Sequence, residues 1–443
     1  MPRPRPEPAA KRHARRRSPF LVAGLVALLV GCGTPSPAVS PTPTTAPSTA
    51  PTLPPPTVGG SPSAEPSQDA AQIYRTIEDQ VVALRELKPK APVNPTILDD
   101  AGIKKFIADS FSKDNPDAIV AANERIYKAF GLLPADASLK TLYIDLLGSQ
   151  VAGLYSPDDK KLYVVSKSGR IGALEKSTFS HEFTHALQDQ NFDLGSLKLD
   201  EIGQGDRSLA RLSLVEGDAT LSMSSWQLTY LTPAEIGELL QAASSDESTK
   251  QLLAMPPILR ESLLFPYVQG LAFVQGLQID GGWGAVDDAF KDPPASTEQI
   301  LHPEKYAAHQ VPVAVNLPTD LLKRLGAGWT IALQDTFGEF QLAVWLRQNH
   351  GLSTAQANAA AAGWGGDRIA VVDGPNGTWG VIYRVIWDTP ADATEFDSAA
   401  GDYVDSLATP AGLIPGDGKE RWILFGSDEH TLHDIAAVLG LGS

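Results

Sequence analysis

Apolar side chains recur at helical spacing from residue 73 onward. Ile73, Ile77, Val81 and Leu84 repeat with Arg, Glu and Asp between them, which predicts an amphipathic helix. Pro89, Pro92 and Pro95 end it. Two more helices are predicted over 99–112 and 116–130, with Gly131 as C-cap and Pro134 beyond it. Leu139 to Leu147 and Val151 to Tyr155 read as strands. A turn at Ser156-Pro157-Asp158-Asp159 leads into a further strand from Lys161 to Ser166. Ser177 to Gln190 (STFSHEFTHALQDQ) contains no Pro or Gly and should be helical, with Ser177 or Thr178 as its cap. Residues 208–226 form the next predicted helix, with Leu212, Val215, Ala219, Met223 and Trp226 as its stripe. Residues 256–290 look mostly helical and apolar.

The pattern changes after residue 310. Helices are predicted at 335–349, 353–362, 391–407 and 430–440, and antiparallel strands at 368–373, 379–387 and 421–426. Gly363-Trp364-Gly365-Gly366 lacks the GxxxxGK[ST] pattern and is not a phosphate loop. The expected fold class is α+β. A mostly helical domain over 69–310, with a small sheet ahead of the 177–190 helix, precedes a smaller α+β region over 311–443. That last region reads as a packing or substrate-recognition module.

Charge adds a targeting signal to this picture. The chain has 443 residues, 36 Lys+Arg and 52 Asp+Glu, for a formal net charge of −16. An acidic balance argues against nucleic acid as a partner. Residues 1–32 carry seven Lys/Arg against Glu7, so they contribute +6 and leave −22 for the rest. Lys11, Arg12, Arg15, Arg16 and Arg17 precede the uncharged run Phe20 to Val30. Its 11 residues are too few to span a hydrocarbon core of about 30 Å as a helix. A basic start and a short apolar run read as a signal peptide. The run ends in Leu29-Val30-Gly31-Cys32, which resembles a bacterial lipobox. The resemblance implies cleavage before Cys32 and a lipid on its thiol. Residues 33–68 hold 11 Pro and 13 Ser or Thr, a composition expected to form an extended tether. The expected location is therefore outside the cytoplasm, as a lipoprotein anchored to a membrane of the cell envelope.

Cys32 is the only cysteine, so any metal site in the folded part must use histidine and carboxylate. His181 and His185 in HEFTH lie four apart and share one face of the predicted helix. Two imidazoles at that spacing can grip one tetrahedral zinc ion. Glu182 is offset by about 100° and reaches a metal-bound water rather than the metal. A third protein ligand is needed. The HExxHxxGxxH extension is absent, because Gln188 stands at its Gly and Asn191 at its last His. Glu216 is the expected ligand, since it falls inside the apolar stripe of the 208–226 helix and a buried carboxylate needs compensation. Glu201 and Asp218 are the other candidates. The structural alternative for Glu216 is an ion pair with Arg207 or Arg211.

HEFTH followed by Val215-Glu216-Gly217-Asp218-Ala219 resembles the gluzincin zinc metallopeptidases, and within them a branch of uncharacterised bacterial lipoproteins. The resemblance is strongest over about 140–230 and is extended to about 310. It implies His181, His185 and Glu216 as ligands of one zinc ion (Zn2+) per chain and Glu182 as general base. In one branch of that group an acidic residue four positions after the ligand Glu orients a zinc histidine. Thr220 stands there in this chain, which leaves that partner unassigned. The oxyanion needs a donor besides zinc. His302, Tyr267 and Tyr306 are the candidates by residue type and position. The function expected is a membrane-tethered zinc peptidase acting on a peptide or protein substrate. A zinc amidase acting on a cell-wall amide and a non-catalytic binding lipoprotein on the same fold are the alternatives, and an intact Glu182 favours an enzyme.

Overall fold

The computed structural model describes residues 22–25, 70–98, 100–165, 171–245, 247–349 and 351–441. Cys32 and the tether over 33–68 lie outside the described residues. Among those described, no helix is long and apolar enough to cross a membrane.

The first half is mostly helical around a small sheet, as the pattern predicts. β1 (Val22–Leu25), α1 (Ala70–Arg85), β2 (Pro95–Leu98), α2 (Asp100–Asp114) and α3 (Asp117–Ala129) open it. Gly131 takes the positive φ of +71° that a helix exit favours. The next segment departs from expectation: Leu139–Gln150 is a helix, α4, and not a strand. Leu139, Leu142 and Tyr143 pack on the core, a spacing of three and four rather than two. Ser138 accepts from the Thr141 N–H at 3.3 Å and starts the turn. β3 (Val151–Ser156) and β4 (Lys161–Val165) pair antiparallel with Leu154 opposite Tyr163. The sheet order is β1-β3-β4-β2, with β2 parallel to β4.

α5 (Ala173–Phe192) carries the HEFTH segment. It begins four residues earlier than the Ser177 cap expected, where Glu175 accepts from the Gly172 N–H at 3.0 Å. α6 (Gly205–Tyr230), α7 (Pro233–Ser245), α8 (Glu247–Ala254) and α9 (Pro257–Ala289) follow. α9 breaks only at Gly281-Gly282, where Gly282 has a φ of +66°. α10 (Thr297–Leu301), α11 (Pro303–Ala307) and α12 (Leu321–Leu325) are short connectors.

The second half is a five-stranded antiparallel sheet with helices. Its elements are β5 (Thr330–Asp335), α13 (Gly338–Leu346), α14 (Thr354–Ala361), β6 (Trp364–Asp373), β7 (Trp379–Trp387), α15 (Pro390–Asp405), β8 (Ala411–Pro415), β9 (Glu420–Gly426) and α16 (Glu429–Leu439). The order is β5-β6-β7-β9-β8. One core spans both halves. The Phe130 ring, at the end of α3, packs on Phe337, Trp345, Tyr383 and Phe425. The Trp345 indole donates to the Phe130 carbonyl at 3.0 Å.

Candidate metal centre

Burial on α5 is the first unusual feature of the site. Thirteen consecutive residues, Ser177 to Asp189, are buried, because β3, α1 and α6 enclose the helix. A helix buried all round is normally apolar. This one hides His181, Glu182, His185 and Gln188, each of which costs free energy unless its polar atoms are satisfied.

The two imidazoles meet edge to face, with ring centroids 4.7 Å apart. Their Nε2 atoms lie 3.1 Å apart. From α6, Glu216 Oε2 comes within 3.2 Å of His181 Nε2 and 3.4 Å of His185 Nε2. Ligands about 2.0–2.1 Å from a tetrahedral zinc ion are separated by about 3.3–3.4 Å from one another. The three separations of 3.1, 3.2 and 3.4 Å describe one such triangular face. His181, His185 and Glu216 are thus a buried group that could hold a metal ion. The donor set of two imidazole nitrogens and one carboxylate oxygen fits zinc.

Without a metal ion, His185 and Glu216 form a charged pair. Burial alone would raise the Glu216 carboxyl, but His185 and His181 outweigh it and hold it at about 2. Burial disfavours the charged form of His185, yet Glu216 and then Glu182 push its pKa up to about 9. His181 goes the other way, lowered chiefly by burial. A metal ion bound at this point would replace the proton on His185, because an imidazole coordinates only through a deprotonated nitrogen.

The alternatives for Glu216 have other partners. Arg207 bonds Glu201 at 2.6 Å, and Arg211 donates to the Leu197 carbonyl at 2.8 Å. Glu201 is therefore engaged away from the histidines. Asp218 faces Arg85, with its Oδ1 accepting from Arg85 Nε at 2.5 Å.

Glu182 is fully buried against β3. A Cβ added to Gly153 would meet Thr178 Cγ2 at 2.6 Å and Glu182 Cγ at 3.3 Å. The absence of a side chain at Gly153 therefore sets how closely the strand and the Glu182 side chain approach. Tyr267 reaches the same group from α9, its ring stacked beside His181 at 6.2 Å between centroids. His302 sits between α10 and α11, where its Nε2 is 2.9 Å from Glu339 Oε1. It lines a cavity with Phe265, Val268, Phe340 and Arg347. Tyr306 donates to the Asp292 carbonyl at 2.9 Å and packs edge-on against Phe273.

Gln188 contacts His185 from the next turn of α5. Its Oε1 lies 2.8 Å from His185 Nδ1. Gln188 Nε2 donates to the Val215 carbonyl and to Asp218 Oδ2, each at 2.9 Å. Asp218 leads on to Arg85, whose side chain is fully buried. Sequence reasoning missed Arg85, although Ile77, Val81 and Arg85 lie four apart on the stripe of α1. A charge on an apolar stripe is the same signal that singled out Glu216.

One comparison with known proteins falls on the second half of the chain. A family model described as a domain of unknown function (DUF8575) matches residues 329–424. That stretch runs from β5 into β9 with α13, α14 and α15, and contains none of the His181, His185 and Glu216 group. No curated protein matches. A solved structure from Chloroflexus aurantiacus, described as a candidate hydrolase with a novel fold, aligns at a TM-score of 0.33 and 15% identity. The alignment covers 54% of this chain and 88% of that one. At that score the likeness carries neither fold nor function to this chain.

Proposed function

We propose that the chain is a zinc-dependent hydrolase of peptide bonds. The observation that carries this is the convergence of His181, His185 and Glu216 on one buried point, with Glu182 adjacent. A bound zinc ion would supply Lewis acidity at that point. Glu182 takes a proton from the attacking water and returns it to the leaving amine. Of the three oxyanion donors expected from the sequence, Tyr267 is favoured, since its ring lies against His181 while His302 is bound to Glu339 and Tyr306 to the Asp292 carbonyl. The choice of a peptide bond rests on the gluzincin resemblance of HEFTH and VEGDA. The zinc-loaded chain should cleave members of a broad peptide library and stop when a chelator removes the metal. Zinc bound without any cleavage would favour a binding protein instead.

We also propose that a lipid on Cys32 tethers this activity to a membrane. Supporting it are the lipobox-like sequence and the Pro/Ser/Thr-rich spacer. A palmitate analogue should label the wild type and fail to label Cys32→Ala; labelling of that variant would refute the tether.

A further inference from the structure

We propose that Gln188 is a positioning residue that holds His185 in a single tautomer, with Arg85 and Asp218 as its anchor. The proposal rests on the zinc reading for its consequence, though not for its geometry.

The amide orientation follows from its neighbours. Gln188 Nε2 faces a backbone carbonyl, Val215 O, and a carboxylate oxygen, Asp218 Oδ2, both at 2.9 Å. Both are pure acceptors. Flipping the amide would set its oxygen against two other oxygens and forfeit two buried hydrogen bonds. Gln188 Oε1 must therefore face His185 Nδ1 at 2.8 Å, and an oxygen there can only accept. His185 Nδ1 carries the proton, and its Nε2 is directed at His181 and Glu216. The amide also differs from a carboxylate in this place, because it cannot take the proton away from the ring.

The anchor explains why the amide stays put. Asp218 is fixed by Arg85 Nε at 2.5 Å, and both side chains are 0% exposed. Arg85 Nη2 donates to Asp287 Oδ1 at 2.7 Å, and its Cζ lies 4.5 Å from the Trp283 ring centroid. One chain of contacts thus runs from α9 through α1 and α6 to a histidine of α5. Such outer partners set ring orientation and metal affinity in zinc sites, typically by 10–100-fold.

The test uses the full chain labelled with 15N-histidine, and its probes are zinc and the His185 Hδ1 proton. In metal-free wild type that proton should be visible and slow to exchange. Gln188→Leu should lose the protection and weaken zinc by about 10–100-fold in competition with a chelator. Gln188→Met keeps the length and approximate volume of the side chain and removes the acceptor for His185. It should lose the Hδ1 protection and weaken zinc as Gln188→Leu does. A folded Gln188→Leu or Gln188→Met with wild-type zinc affinity and a protected Hδ1 would overturn the proposal. Should Gln188→Leu fail to fold, Gln188→Met decides by keeping or losing the Hδ1 signal. A wild type that binds no zinc sinks the proposed function, while the Hδ1 signal still decides the role of Gln188.

Discussion

A Glu182→Gln protein should bind zinc as the wild type does and hydrolyse peptides about 10²–10⁴-fold more slowly. The amide has the shape of the carboxylate, so it fits the space between α5 and Gly153 without repacking. The three groups proposed to hold zinc, His181, His185 and Glu216, are untouched. What is lost is the ability to accept a proton next to the reacting centre. Turnover and zinc content measured on the same preparation separate this role from a structural one. Full turnover in a zinc-loaded Glu182→Gln would remove Glu182 as the base. Loss of zinc together with turnover would show that Glu182 supports the metal instead.

The second large effect concerns stability. Gly217→Val should destabilise the chain by about 3 kcal/mol or more, seen as a large fall in the thermal midpoint by circular dichroism. Gly217 follows Glu216 on α6, and α9 crosses it at Gly270. A Cβ at Gly217 would overlap the carbonyl oxygen of Gly270, and a Cβ at Gly270 would overlap the carbonyl oxygen of Ser213. Those obstacles are backbone atoms that cannot rotate away, so the helices would have to separate. Separation would carry off Glu216 on one side and Tyr267, three residues before Gly270, on the other. Gly276→Ala on the same α9 is the control, because nothing lies within 4 Å of its added Cβ. It should leave stability unchanged or raise it slightly. A Gly217→Val protein as stable as the control would show that the crossing is not tightly packed.

The parts of this site readable from sequence are those whose logic is local. His181, Glu182 and His185 lie within one helical turn or so, and their spacing alone sets two rings on one face. Glu216 was legible as a charge inside an apolar stripe. Gln188 was not, because its meaning depends on Asp218, 30 residues on, and through it on Arg85, a further 133 residues from Asp218. No local pattern links those three. The fold shows the same division. Long helical segments such as α1, α6 and α9 lie where the pattern predicts them. α4 differs because a short apolar run fits both periods, and only its packing on the core decides between them. β5 and β8 were missed because they are the two edges of their sheet. Their residues are mostly half-buried or exposed, so they show little of the apolar alternation that marks an inner strand.

The most direct measurement of the central claim is zinc bound to the full chain after metal removal and reloading, with X-ray absorption at the zinc edge. One zinc per chain is expected, with two nitrogens and at least one oxygen at about 2.0–2.1 Å, and with binding lost or greatly weakened in His185→Ala and Glu216→Ala. A folded wild-type chain that retains no zinc, or retains it equally in both variants, would contradict a metal centre at His181, His185 and Glu216.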